Sequence, residues 1–564
     1  MHELPDCLYE GKQPALITPS SPTPSHILYL SNLDDHHFLR FSIKYLYLFR
    51  KSLCSLTLKD SLSRVLVDYY PFAGRIKVSD DKTKLEVDCN GKGAVFAEAF
   101  MDITCQEFLE ISRKPNKSWR KLLFKVQAPG FLDIPPLVIQ VTHLRCGGMI
   151  ICTAINHCLC DGIGTSQFLH AWAHANTTNV PLPIQPFHSR RMLKPRDPPH
   201  VTHSHPGFTR TTVDKNSTTF DVCKYLQSQP IVPTTLTFTP SLILRLKKTC
   251  DPSLECTTFE VLAAHTWCSW ARSLDLPLTM QVKLLFSVNV RKKLTPELPH
   301  GYYGNGFVLA CAESKVQDLV SGNIYHAVKL IQDAKVRITD EYVRSTIDLL
   351  EDKTVKTDVS SSLVISQWGR LGLEELDFGG GKPMYMGSLT SDIYCLFLPE
   401  AGNCDAIRVQ VSLPEDVLRR LECYMVKFLD EKVIHMLFQG VELDSDLDAM
   451  RDRRSRSVRI LVKGYATSLH VDVVKSQLAK HFSSCGETLS VPYIRASRNR
   501  PGKASQLGSL PQEGNEEETR DLRSRGLCLV PFSCMTYVNG DGGDVGGGVG
   551  DGFWPTPLGF GGGT

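Results

Sequence analysis

The first clear helical period lies at Leu62, Val65, Leu66 and Tyr69, where apolar side chains recur at i, i+3, i+4 and i+7. That spacing predicts an amphipathic helix, and Pro71 ends it because its ring nitrogen has no hydrogen to donate to the ladder. A polar, proline-rich entry, Ser20 to Pro24, comes before it. Between Leu137 and Ile155 the pattern changes to nearly continuous apolar runs. LVIQV and MIICTAI read as two strands joined by a turn at Cys146-Gly147-Gly148, where glycine tolerates positive φ. From Pro181 to about Pro206 there are prolines, histidines and polar residues with no hydrophobic period, which predicts a long segment crossing between two halves.

The second half opens on a helix at Thr257. Its hydroxyl is placed to cap the helix, Glu260 three residues on is placed to reciprocate, and Phe259, Leu262, Ala263, Trp267 and Trp270 form an apolar stripe expected in the core. Further strands are predicted at Val282 to Val288, Phe307 to Ala310 and Ile393 to Leu398. Both halves therefore mix helices with strands, an α/β class. After Leu443 the character changes: an arginine run, Arg451 to Arg459, precedes a short strand-helix-strand pattern, and beyond Tyr537 glycine repeats bury too little apolar surface to order themselves.

At 564 residues the chain is too long for one compact core. The pattern divides it into residues 1–180, a crossover at 181–220, a second domain at 221–443, a linker with a small module at 444–536, and a glycine-rich tail at 537–564. The 63 basic and 60 acidic residues leave a net charge of +3, which creates no global field for gathering nucleic acid or anionic membrane. The start, MHELPDCLYE, lacks a basic region followed by an apolar run, and no apolar stretch reaches the length of a membrane span. The 19 cysteines are scattered without a CxxC pair, as reduced thiols would be. The expectation is a cytoplasmic protein without a transmembrane segment.

Candidate chemistry concentrates in AINHCLCDGIG, Ala154 to Gly164, where His157 and Asp161 stand four apart at a strand end, ahead of Gly162 and Gly164. The spacing alone is weak, because His2 and Asp6 share it. What differs is the scaffold: a strand before and a glycine turn after, which lets backbone pass close to a ligand. Four readings follow. A metal site needs ligands that reach tetrahedral positions, for which His157, Cys158 and Cys160 are too close together, so no metal is expected. A thiol nucleophile needs a depressed pKa, which the apolar surroundings of both cysteines oppose. The other two are a satisfied buried histidine and a neutral imidazole acting as general base.

Beyond that motif, the chain resembles the plant BAHD acyltransferase family. His157, Asp161 and Gly162 match the family's HxxxDG. Supporting stretches run in the family's order: Leu58 to Ile76, Pro135 to Gly148, Cys256 to Trp267, Ser287 to Gly306 and LDFGGGKP at Leu376 to Pro383, together spanning about residues 1 to 440. The resemblance implies a two-domain fold like that of chloramphenicol acetyltransferase, with a channel between the domains. It implies acyl-CoA as co-substrate, no permanently bound cofactor and a monomer. His157 would deprotonate an acceptor hydroxyl, less readily an amine. Asp161 would pair with Arg291 as an orienting ion pair, and Ser366 and Trp368 would face the developing oxyanion. Asp377, Phe378, Gly379 and Gly381 match the DFGWG signature, with Gly380 in place of its tryptophan. A proton-transfer role for Asp377 follows by motif analogy, a structural one from the segment's place in the family fold. NHCLCDGIG with GYYGNGFVLA is similar to the branch that joins hydroxycinnamoyl-CoA to ω-hydroxy fatty acids or fatty alcohols in cutin and suberin formation; fatty acyl-CoA is the other donor considered.

The C-terminal stretch Arg459 to Leu469, with Val471, Val474, Leu478 and Phe482 at helical spacing, resembles part of an RNA-recognition motif. Leu461 stands where its first strand carries an aromatic, and Arg525 to Phe532 has Pro531 where a central strand needs an N–H. The alternative function is thus an RNA-binding protein whose acyltransferase body is inactive.

Overall fold

The structure, a computed structural model, describes residues 3–9, 13–112, 117–128, 130–211, 221–250, 255–389, 394–400 and 403–426. The RNA-recognition-like stretch and the glycine-rich tail lie outside the described residues.

Two six-stranded mixed sheets carry the site. The first runs, in spatial order, Ala15–Ile17, Ala94–Met101, Leu137–Leu144, Met149–Asn156, Ser42–Phe49 and Tyr385–Ser388. The second runs Ile231–Phe238, Asn403–Pro414, Tyr394–Glu400, Ser362–Gln367, Gln281–Asn289 and Phe307–Lys315. Together with the helices below, they make the mixed α/β class expected from the pattern. Tyr385–Ser388, late in the chain, pairs antiparallel with Ser42–Phe49, a long-range exchange that no local pattern announces.

The hairpin predicted at 137–155 is present. Leu137–Leu144 and Met149–Asn156 pair antiparallel, with Leu137 opposite Ile155. Gly147 sits at φ +81° and its N–H donates to the Leu144 carbonyl at 3.0 Å. Every residue of Met149–Asn156 is buried, since the strand lies inside the sheet and is covered on both faces, which is why its sequence is a continuous apolar run instead of an alternation.

The helix predicted around Leu62 spans Ser55–Asp68, and Pro71 falls in the short turn of helix Tyr70–Ala73 that follows. It packs beside Gly162–Thr177, where the Trp172 indole donates to the Leu58 carbonyl and Ser61 hydroxyl, both at 3.1 Å. At Thr257 the reciprocal cap forms: Glu260 N–H to the Thr257 hydroxyl at 3.3 Å and Thr257 N–H to the Glu260 carboxylate at 2.9 Å. The helix Thr258–Ser273 is more buried than a stripe, with every residue from Val261 to Ala271 in the core. Phe259 departs from the expectation: at the helix's first turn it is half-buried and lines a cavity.

Candidate active site

A cavity of about 690 Å³ collects residues from distant parts of the chain: Phe38 and Leu39, His157, Asp161 to Ile163, Phe259, Arg291, Phe307, and Val364 to Leu371. Its size falls within the usual range of small-molecule pockets. His157, Asp161, Gly162, Arg291, Ser366 and Trp368, expected together from scattered motifs, all line it.

His157 follows the last residue of the Met149–Asn156 strand, and its N–H donates to the Phe41 carbonyl at 2.8 Å, continuing the ladder by one residue. The ring is half-buried at the cavity wall, edge-on to Phe41 at 5.3 Å and beside Phe307 at 5.9 Å. Burial pushes its pKa below the ordinary imidazole value, with its own carbonyl, Asp161, Asn305 and Asp34 opposing the shift. The ring is therefore neutral at pH 7, the state a proton acceptor needs.

Asp161 caps the Gly162–Thr177 helix, accepting from Gly164 N–H at 2.9 Å. It also accepts from Gly306 N–H at 3.0 Å and from both terminal nitrogens of Arg291, at 2.8 and 2.9 Å. Burial alone would raise this carboxyl's pKa, but the Arg291 guanidinium and the N–H donors hold it below the usual carboxylate range. Both of its carboxylate oxygens are occupied by these donors. Gly164 is required for another reason than the ligand approach its sequence suggested: a Cβ there would stand 1.8 Å from the Tyr303 carbonyl. Gly162 does face the cavity, beside Leu371.

Ser366 and Trp368 stand at the end of Ser362–Gln367, an interior parallel strand, two residues apart and hence on one side. Trp368 stacks on Tyr45 with ring centroids 4.8 Å apart, and its main-chain N–H donates to the Phe397 carbonyl at 2.8 Å.

The structure does not bring Asp377 to this cavity. Asp377 is exposed and accepts from Gly379 N–H at 2.7 Å and Gly381 N–H at 2.9 Å, closing a loop in which both glycines adopt φ +98°. Phe378 is buried against Trp172 and Phe49, with centroids 4.7 and 5.9 Å away. This geometry corrects the proton-transfer expectation for Asp377: its carboxylate is occupied by its own loop, and no cavity residue comes from 377–381.

The two cysteines of the motif do not line the cavity. Cys158 Sγ lies 3.6 Å from the Leu39 carbonyl and Cys160 Sγ 3.4 Å from the Thr165 hydroxyl, both buried and outside the cavity lining. Burial pushes the Cys158 thiol far up and that of Cys160 to about 12, so neither supplies a thiolate. Among the described residues no group of three or more His, Cys, Asp or Glu side chains is placed to hold a metal.

Sequence reasoning missed the layer beneath the site. Arg190, inside the polar crossing segment, is fully buried; it donates to the Leu159 carbonyl at 2.9 Å, lies 3.8 Å from Asp34 and covers the Tyr303 ring at 4.3 Å. Asn305 bridges Asp34 and the His157 carbonyl at 2.9 and 2.8 Å. The trace it leaves in the sequence is GYYGNG, whose glycines at 304 and 306 stand where a Cβ would strike the Arg190 and Arg291 guanidinium groups.

The family model described as "Transferase family" matches residues 10–426. The chain belongs to the BAHD acyltransferase family. An omega-hydroxypalmitate O-feruloyl transferase of Arabidopsis thaliana is 34% identical over 417 residues, covering 72% of this chain and 89% of that protein. A fatty alcohol:caffeoyl-CoA acyltransferase of the same plant is 32% identical over 418 residues, 72% of this chain and 96% of that protein. A benzyl alcohol O-benzoyltransferase of Petunia hybrida is 34% identical over 456 residues, 77% and 95%. Among solved structures, vinorine synthase superposes with a TM-score of 0.58 at 22% identity, covering 74% of this chain and 98% of that one. TRI101 of F. graminearum, complexed with coenzyme A and T-2 mycotoxin, gives 0.58 at 16% identity, covering 71% and 97%. At these identities the two structures speak for the fold alone, which is that of the CoA-dependent acyltransferases. As a BAHD member the chain is an acyl-CoA-dependent O-acyltransferase, with acyl-CoA as co-substrate and no permanently bound cofactor. These relatives lend no support to the RNA-binding alternative. Among the described residues no helix is long and apolar enough to cross a membrane.

Proposed function

We propose that this BAHD enzyme transfers a hydroxycinnamoyl group from its CoA thioester to the hydroxyl of a long-chain ω-hydroxy acid or fatty alcohol, with His157 as general base. The observation that carries this reading is the half-buried, neutral His157 ring on the wall of a cavity that Phe38, Leu39, Phe307, Leu309 and Val364 line with apolar surface. The feruloyl- and caffeoyl-transferring relatives support the substrate pair. His157 Nδ1 is buried, so Nε2 is the nitrogen left for the acceptor.

In this mechanism the acceptor O–H gives its proton to Nε2 as its oxygen attacks the thioester carbonyl. The carbonyl π pair moves onto oxygen, and the Ser366 hydroxyl and Trp368 indole N–H are the donors assigned to it. The tetrahedral centre collapses, the C–S bond breaks, and the thiolate recovers the proton from the imidazolium. Holding both substrates in one cavity replaces an encounter in solution with a near-attack arrangement. Asp161 touches neither substrate; through Arg291 it fixes the backbone that follows His157.

A second reading has its own support: the benzyl alcohol O-benzoyltransferase is equally identical over a longer stretch, which favours an aryl donor and an aryl-methanol acceptor. Acceptor-dependent release of CoA thiol, measured with feruloyl-, benzoyl- and palmitoyl-CoA crossed with ω-hydroxypalmitate, hexadecanol and benzyl alcohol, decides between them. Turnover only with benzyl alcohol sinks the first reading; turnover that survives His157→Ala sinks the base. We further propose a monomer working in the cytoplasm. The described cysteines, all free thiols, suit a reducing compartment, and gel filtration and a fluorescent fusion test the two statements.

A further inference from the structure

Asn305 is 0% exposed, on the turn that leads into the Phe307–Lys315 strand. Both hydrogens of its amide nitrogen are taken, by Asp34 Oδ1 at 2.9 Å and by the His157 carbonyl at 2.8 Å, and its main-chain N–H adds a third bond, to Asp34 at 3.0 Å. Because both partners of the amide nitrogen are acceptors, the amide has one orientation and its oxygen is fixed as the remaining atom. That oxygen, Asn305 Oδ1, is buried without a hydrogen-bond partner, and so is His157 Nδ1. Buried polar atoms are rarely left unmatched. Here the two orphans are complementary in kind, a carbonyl acceptor and a ring nitrogen able to carry hydrogen, and they belong to residues already joined by a hydrogen bond.

We propose that Asn305 is a positioning residue that holds His157 in the Nδ1–H tautomer, its amide oxygen accepting from Nδ1 so that Nε2 presents its lone pair to the cavity. The inference rests on the general-base reading of His157. The ring's own carbonyl, and with it Asn305, favours the protonated ring, as acceptors would. The amide has little freedom to move. Its flanking glycines pack against the Arg190 and Arg291 guanidinium groups, and Asp34 is held by the Ser31 hydroxyl at 2.6 Å. The charged groups around the ring are accordingly Asp34 with Arg190, and Asp161 with Arg291.

The test uses the full chain with ¹⁵N-labelled histidine, the His157 signals being assigned as those missing from His157→Gln. The expected wild-type tautomer is Nδ1–H. In Asn305→Ala, checked for folding by its melting curve, the ring shifts toward Nε2–H. Its kcat falls roughly 10- to 100-fold, less than complete loss of a general base, while KM for acyl-CoA stays within about twofold. Exchanging the two side chains, Asp34→Asn with Asn305→Asp, restores the Nδ1–H signal. The exchange also moves the acidic limb of kcat/KM up by about one pH unit, since a carboxylate beside the ring favours imidazolium; a merely structural role moves neither. A wild-type ring in the Nε2–H form overturns the inference even if Asn305→Ala does not fold, and an unchanged tautomer in folded Asn305→Ala does the same. Full turnover in His157→Gln would instead overturn the base itself, so the two failures are distinguishable.

Discussion

The loops at 157–164 and 377–381 are both signature motifs, and both are organised by an aspartate that accepts backbone N–H groups ahead of glycines. They have opposite fates. Asp161 is buried and reaches across 130 residues to Arg291, whereas Asp377 is exposed and bonds only within its own loop. The difference teaches that a motif's chemistry depends on what its aspartate is tied to. A long-range pair locks two distant segments around a cavity; a local pair shapes one loop.

The largest test of this contrast is the proposed base that one loop carries and the other lacks. His157→Ala is expected to lower kcat/KM by about 10²–10⁴-fold, read as acceptor-dependent CoA thiol release, with circular dichroism unchanged. Because burial holds the ring's pKa below its ordinary value, the base is already neutral at pH 7. The wild-type profile should be flat there and fall only as pH drops through that lowered pKa, below about 6.5.

Breaking the long-range tie comes next. Asp161→Asn leaves the Arg291 charge buried without its counter-ion, and a loss of about 3–5 kcal/mol in denaturant unfolding is expected, together with reduced kcat. The folded carboxyl has a depressed pKa, so its contribution is complete above the unfolded value of about 3.9 and disappears as pH falls through the lower folded one. The difference between wild type and variant should therefore close only in strong acid. Equal unfolding curves at pH 7 would remove the pair from the account.

Ser366→Ala is expected to reduce kcat by up to about 10²-fold with KM little changed, the signature of a contact made in the transition state. At the other motif, Asp377→Ala should cost about 0.5–1.5 kcal/mol in stability and leave kcat/KM within about twofold; a hundredfold loss would restore the proton-transfer role. Smallest of all is Gly380→Trp, which introduces the residue of the family signature. A Cβ there meets Leu53 at 3.4 Å, an ordinary contact, so unfolding should change by less than about 1 kcal/mol.

The amino-acid sequence by itself determined the local elements. Capping at Thr257 and Glu260, the glycine turn at 146–148 and the unbroken apolar run 149–155 act over a few residues, and their hydrogen bonds form as their composition dictates. It also carried the proposed base and the Asp161–Arg291 pair, because HxxxDG and the 287–306 stretch are distinctive together. Tertiary structure alone decided that Asp377 serves its own loop, that Cys158 and Cys160 turn into the core, and that Arg190, Asp34 and Asn305 form a buried polar layer under His157. Those outcomes depend on which distant segment fills the space beside a side chain. A polar residue in a loop looks the same along the chain whether water or a buried arginine meets it in the fold, and only the packed molecule distinguishes the two.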